Sequence, residues 1–349
     1  MLIGMHNQVF ISWNNCTHRC STSITNIRIM FLASICMLMI SSISASQTNE
    51  KAGIFPCPQK MQLLPEQFVF NEQTIIAITD NPNEHDKFLA SFLCAEFCDR
   101  YGIPVQVKTL SHIAPEQKAI LIGSADSPLI KTVCGNENID ANIIKNQSEG
   151  YVLRVSNNRA LIMGGGDAGT FYGLQSLRQL IRKDNNSVSI CGVDIQDWPY
   201  KSFRGIKVYM PGKNNLKFFK RFLSNFMAKY KYNKLILEVS PCMRFERHPE
   251  INAGWLDLVQ DLKYSRRERP AGPKGQIQDS ANYDAGDGEV VEQQDVADIV
   301  QYARQHHIEV IPEIPSLTHS YYLLTRHREL AEVQDAEWPD TYCPLNRTF

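Results

Sequence analysis

The sequence predicts an α/β protein in two parts, an α+β domain over residues 53–195 followed by a sheet of βα units over residues 196–349. Three observations predict it. Short β-rich runs alternate with two amphipathic helices up to about Asp194. After "DIQDWPYK" the rhythm changes to strand, helix, strand, helix, strand, which argues for a parallel sheet, doubly wound or closed as a (β/α)8 barrel. Late in the first regime "ALIMGGGDAGTFYGLQSLRQLI", from Ala160, runs from an apolar strand through three glycines into a helix.

The elements follow in order. "TIIAIT" from Thr74 reads as a strand. "EHDKFLASFLCAEFCDRYG" reads as a helix whose apolar positions are Phe88, Leu89, Phe92, Leu93 and Phe97, stopped at Gly102. "VQVK" and "AILIGS" are strands, and "GYVLRVSNNRALIMG" is a hairpin turning at Ser156, Asn157 and Asn158. The second helix runs from about Ala168 to Arg182, with Phe171, Leu174, Leu177 and Leu180 or Ile181 on its apolar stripe. The glycines before it let the chain turn tightly, and Asp167 is expected to cap it. Beyond the linker, "SFRGIKVYM", "KLILEVS" and "IEVIPEI" are strands, separated by helices in "NNLKFFKRFLSNFMAKYKYN" and "VVEQQDVADIVQYARQHH". His306 and His307, ending the last helix, read as surface residues suited to the helix dipole. A polar insert from Met243 to Glu289 follows the second of these strands, a length that is usually functional or disordered; on a barrel it lies at the C-terminal face, where sites are built.

Composition narrows the function classes. The 36 Lys and Arg nearly cancel the 37 Asp and Glu, so no global field draws nucleic acid or an anionic membrane, and a neutral or small substrate is expected. Arg28 precedes an apolar run, Ile29 to Ile40, and small residues ending at Ala45; this is the layout of a secretory signal within residues 1–45, and the run is shorter than the about 20 apolar residues of a membrane span. Upstream of it the chain is polar and patternless, so the expected start is Met30. Cys57, Cys94, Cys98, Cys134, Cys191, Cys242 and Cys343 form no repeated spacing and imply no disulfide framework. Cys94 and Cys98, four apart on a helix, read as a buried structural pair. The glycine turn is no phosphate cradle: a P-loop needs Lys and Ser/Thr after its last glycine, and a Rossmann turn follows the first strand of a βαβ unit with an acidic residue about 20 positions on. No nucleotide, metal or other cofactor is expected.

Ordered along the chain, three motifs resemble glycoside hydrolase family 20, the β-N-acetylhexosaminidases. Gly169, Tyr172, Gly173, Gln175, Leu177, Gln179 and Leu180 match a helix of the form G-x-(F/Y)-Y-G-x-Q-(S/T)-L-x-Q-L. Asp197, Pro199, Arg204 and Gly205 match a D-x-P-x-x-x-x-R-G linker into the barrel. "VIPEI" followed by His319, seven residues after Pro312, is similar to the family's third-strand motif. The resemblance implies an accessory domain of hexosaminidase type, then the first half of a (β/α)8 barrel, acting on glycans bearing N-acetylhexosamine. Such a barrel needs about 250 residues, so the chain is expected to stop near its middle. By the same resemblance the catalytic Asp-Glu pair, which orients the acetamido group and supplies the general acid in substrate-assisted retention, is expected past Phe349, and no catalytic residue is assigned within the chain.

Candidate substrate-binding or supporting residues are Arg204, Glu238, Glu313 and His319. Arg204 is expected mid-strand inside the barrel, either in a structural salt bridge or near the sugar. The resemblance places His319 beside the catalytic acid, and Glu313 reads as a buried hydrogen-bond partner. A metal site from His319, His327 and Glu313 matches no metal motif. The family's hydroxyl-binding Asp and Arg of the first strand are replaced by Tyr209 and Gly212, and the second-strand His and Asp, counted from Asn233, by Glu238 and Pro241. Lys207, Lys213, Glu238 or Arg244 are the substitutes at hand. Trp198, Trp255, Trp338, Tyr321 and Tyr322 offer faces for stacking on a sugar, against the commoner reading of aromatics as core. Two other readings compete: a sugar-binding remnant without catalysis, and another barrel glycosidase such as an α-glucuronidase.

Overall fold

The computed structural model describes residues 53–345 apart from 145, 186, 240–241, 258–288 and 337–338. The expected signal segment, most of the insert, Pro241, Trp338 and Phe349 lie outside the described residues.

Strands β1 (Lys60–Val69), β2 (Ile75–Thr79), β3 (Gln106–Leu110), β4 (Ala119–Ser124), β5 (Tyr151–Val155), β6 (Arg159–Gly164), β7 (Ile181–Lys183) and β8 (Val188–Asp197) form a mixed sheet. Its order is β1-β8-β5-β6-β4-β2-β3, with β7 paired to β8. The period-two alternation sends successive side chains to opposite faces. Ile76, Ile78, Ile120, Ile122 and Ile162 meet Leu89 and Leu93 of α1 (Glu84–Glu96) and Phe171, Leu174 and Leu177 of α3 (Asp167–Leu180). Ile75, Ala77, Leu121 and Leu161 meet Leu129, Ile130, Val133 and Cys134 of α2 (Pro128–Asn136).

Several expectations need correction here. The domain carries a third helix, α2, which covers the second face; at nine residues, with Pro128 and Gly135 inside it, it offers little periodicity to read. Cys94 is half-buried and its thiol donates to Val105 O at 3.1 Å, but Cys98 is exposed, so the two are not a buried pair. After Glu96 the helix widens into a π turn over Phe97–Tyr101, which carries Cys98 away from the core-facing stripe. Asp167 is the first residue of α3 rather than its cap, which is Gly166, and its carboxylate faces His85 Nδ1 at 3.7 Å.

The glycine turn is dictated by close approach. A Cβ at Gly169 would lie closer than 3.0 Å to the carbonyl oxygen of Gly150, and one at Gly165 would meet Gln147 O equally closely. Gly169→Ala is therefore expected to destabilise the fold by about 1–3 kcal/mol, read as a lower midpoint in urea. Gly135→Ala is the control: a Cβ there meets nothing within 4 Å, and alanine is the better helix former.

The second part contains β9 (Gly205–Tyr209), α4 (Leu216–Phe222, continued as a π-helix over Leu223–Ala228), β10 (Lys234–Glu238), α5 (Gln293–Gln305), β11 (Glu309–Glu313) and the short α6 (Tyr321–Leu324). All three strands are parallel, in the order β9-β10-β11. Leu235 and Leu237 are fully buried on the helix side, while Lys207, Tyr209, Ile236, Glu238, Ile311 and Glu313 share the opposite face.

The two parts meet along a polar seam. Lys231 Nζ lies 2.9 Å from Asp197 Oδ2 and 2.7 Å from the Tyr151 hydroxyl, which donates to the same carboxylate at 2.8 Å and sits 2.6 Å from Ser176 Oγ. Gln179 bonds both main-chain groups of Phe55 and reaches Lys229 O at 3.0 Å. Arg178 pairs with Glu96 and spans to Asn225 at 3.2 Å. His306 and His307 belong to this seam and are not surface residues: His306 is 1% exposed, ringed by Phe88, Phe92, Phe171 and Tyr302, and His307 Nε2 lies 2.9 Å from His85 Nε2. The first domain covers the end of α5, a contact that the amphipathicity of α5 alone does not announce.

Candidate functional site

In register, Tyr209, Glu238 and Glu313 are the last residues of three adjacent parallel strands. Strand alternation turns their side chains to one face and places Lys207, two residues before Tyr209, beneath them. Its ammonium lies 2.6 Å from Glu313 Oε1 and 3.3 Å from Glu238 Oε2, and 5.7 Å from the centre of the Tyr209 ring. The hydrogen bond to Glu313 holds the Lys207 pKa above the ordinary lysine value, with Glu238 adding to it. Burial is the larger influence on Glu238 and raises its pKa, opposed by Lys207 and by the charge of His319. Glu238 has only 9% of its side chain exposed, against 44% for Lys207, so the cluster has a covered acceptor and an accessible donor.

His319 lies on the loop after β11, exposed, with φ of 58°; Leu317 before it has φ of 72°. Two non-glycine residues in the left-handed region cost of order 1–3 kcal/mol each, a cost that persists only where the surroundings impose the conformation. Ser320, fully buried, ties this loop back through its hydroxyl to Thr318 O at 3.2 Å and its N–H to Asp340 O at 3.0 Å.

Of the sequence candidates, the structure brings Glu238 and Glu313 together, with His319 near enough to act on Glu238 electrostatically. It does not bring Arg204 to them. Arg204 precedes β9 instead of lying mid-strand, at the opposite end of the sheet, where it pairs with Glu149 at 2.8 Å, donates to Lys231 O and Lys201 O at 2.8 and 2.7 Å, and covers the Tyr172 ring. Asn233 holds the same corner, accepting from Arg204 N and donating to Ser202 O. Lys213 and Arg244 pair elsewhere, with Glu289 and Glu292, beside a cleft of about 420 Å³ against the residue 249–257 helix. His327 pairs with Glu250 and Glu329, and no group of three metal-ligating side chains occurs among the described residues. Trp255 and Tyr322 are core, 1% and 5% exposed. Of the four substitutes considered from sequence, Lys207 and Glu238 join the cluster and Lys213 and Arg244 do not; strand register is the signal that singles out Lys207 among the three cations.

A family model described as glycosyl hydrolase family 20, domain 2, matches residues 51–198, and one for the catalytic domain of the same family matches residues 215–346. The chain belongs to glycoside hydrolase family 20. The β-hexosaminidase of Porphyromonas gingivalis is 26% identical over 320 residues, 87% of this chain and 36% of that protein. β-Hexosaminidase B of Pseudoalteromonas piscicida is 33% identical over 183 residues, 50% of this chain and 22% of that protein. The chain thus spans well under half the length of these curated relatives. Among solved structures, the family 20 β-N-acetylhexosaminidase of Streptomyces coelicolor superposes with a TM-score of 0.61 at 20% identity, covering 84% of this chain and 54% of that one. The fold is that of family 20: its second domain followed by catalytic-barrel strands, here β9 to β11. On such a barrel the C-terminal ends of the strands carry the active site, and that is the end at which Lys207, Glu238 and Glu313 converge.

Proposed function

We propose that this protein acts in a β-N-acetylhexosaminidase, releasing terminal N-acetylhexosamine from glycans by substrate-assisted retention, with Lys207, Glu238 and Glu313 as part of its sugar-binding face. The observation that carries the proposal is the ammonium of Lys207 held between two carboxylates at the strand ends. A sugar's vicinal hydroxyls both donate and accept, and a cation flanked by carboxylates answers both needs within one reach. Residues 53–195 serve as the accessory domain and residues 196–349 supply barrel strands. His319 supports Glu238 from the adjoining loop, whereas Arg204 holds the entry to the barrel in place. Export through a leader ending near Ala45 is part of the proposal; an N-terminus of the secreted product upstream of Arg28 would remove it.

The test pairs binding with turnover. The protein is titrated with N-acetylglucosamine and assayed on aryl N-acetyl-β-hexosaminides and aryl uronides. Selective response to the N-acetylated sugar is expected, and Lys207→Met or Glu313→Gln should weaken it about ten- to hundredfold, the worth of a charged hydrogen bond. Response to the uronide alone, or N-acetylglucosamine affinity indifferent to both substitutions, would overturn the reading. Binding without hydrolysis by a protein that also carries the family's Asp-Glu pair would favour a sugar-binding role.

A further inference from the structure

The first domain has a cleft of about 430 Å³, formed where the β5–β6 turn, the end of α2 and the bulge in β1 meet. Its volume falls in the range typical of ligand pockets, about 300–1,000 Å³. Arg159 lies in its wall with 9% of its side chain exposed. The guanidinium donates to Ala114 O at 2.9 Å and its Nε pairs with Glu137 at 3.4 Å, but NH1 has no partner among the described residues. Across the cleft Glu66 leaves Oε2 equally unmatched. A buried donor and a buried acceptor without partners each cost about 1–3 kcal/mol, so such a pair lining one cleft marks a place for an occupant that supplies both kinds of bond.

The lining selects the class of occupant. Two carboxylates face one guanidinium, which disfavours an anion, and the guanidinium disfavours a metal ion. Asn136 and Asn158 add planar amides, which donate and accept side by side. Val133 and Pro115 supply an apolar wall. Hydroxyls that donate and accept, on a ring with C–H faces, satisfy all of these at once. We infer that this cleft is a second carbohydrate-binding site, one that takes a neutral mono- or disaccharide independently of the strand-end cluster in the barrel.

The experiment is an NMR titration of the full chain with N,N′-diacetylchitobiose, maltose and inorganic phosphate, following asparagine side-chain amides. One of the two disaccharides is expected to shift the side-chain amide of Asn136, in the cleft lining, saturably with a midpoint in the millimolar range. Asn158→Trp, which fills the cleft while keeping the main-chain bond from Ala119 N to Asn158 O, should weaken that binding at least about tenfold without moving the melting temperature. Glu313→Gln should leave it intact, which separates this site from the barrel cluster. The inference is overturned if neither disaccharide shifts the Asn136 amide, if that shift survives Asn158→Trp, if it disappears in Glu313→Gln instead, or if phosphate alone shifts the cleft resonances.

Discussion

Replacing Asp197 by alanine is expected to cost about 3–5 kcal/mol, the penalty for leaving one member of a buried ion pair uncompensated. The ammonium of Lys231 has 8% of its side chain exposed and Asp197 has 11%, so solvent cannot take over the charge. Burial already pushes the Lys231 pKa down, and Asp197 opposes that shift. Tyr151, fully enclosed, has its pKa raised well above the usual phenol value and therefore stays a neutral donor to the same carboxylate. Without the carboxylate, Lys231 and Tyr151 lose their shared acceptor and Gln59 N loses the bond it makes to Asp197 Oδ1 at 3.1 Å. A melting temperature lower by roughly 10 °C is the expected reading in calorimetry, at about 2–4 °C per kcal/mol for a chain of this class. The double variant Asp197→Leu with Lys231→Met should recover much of the loss, because apolar residues of similar volume replace buried pairs at little cost. A single-variant cost below about 1 kcal/mol would mean the pair is solvated like a surface salt bridge.

That network explains which parts of the molecule were legible in the sequence. The motif residues that carry the family resemblance are largely residues of the seam. Asp197 anchors Lys231, Gln179 clasps Phe55 and Lys229, Tyr172 lies under Arg204, and Gly169 admits the Gly150 backbone. Such positions tolerate few residue types because each makes several bonds at once, so they form readable patterns. Strands β2, β4, β5 and β6 were legible for a different reason, namely near-continuous apolar runs, as expected of strands buried on both helix-covered faces. The site was harder to read. Glu238 and Glu313 stood out as charges ending apolar strands, but Lys207 became distinguishable from Lys213 and Arg244 only through register, which depends on how β9, β10 and β11 align. Arg204 was misplaced because β9 begins at Gly205, three residues after the expected start at Ser202, which leaves Arg204 ahead of the strand and in the seam. The histidines were misread since their burial comes from a partner domain more than 120 residues away in sequence.

The histidines also make stability depend on pH in a direction that follows from their surroundings. Burial lowers the pKa of His307 to about 4, with His85 adding to the effect and Asp167 opposing it. Burial lowers His85 as well, against the pull of Asp167. His306 is lowered chiefly by burial, against its bond to Tyr302 O, with Arg178 adding a smaller downward push. Asp86, beside His85 on α1, has its own pKa raised by burial. Each of these imidazoles is held neutral in the folded state and accepts a proton readily when unfolded, near 6.5. Unfolding therefore takes up protons, so their contribution is fully present above about pH 6.5 and is lost as pH falls towards about 4. For His307 alone the shift from 6.5 to about 4 corresponds to roughly 3 kcal/mol. The geometry gives the same sign, because two imidazole Nε2 atoms 2.9 Å apart share one proton and cannot both carry one. Urea midpoints measured from pH 7.5 to pH 4.5 should fall steadily for the native chain. In His307→Asn with His85→Gln the slope should flatten over that window, even if stability at pH 7.5 is lower. An unchanged slope in the double variant would locate the acid sensitivity outside this seam.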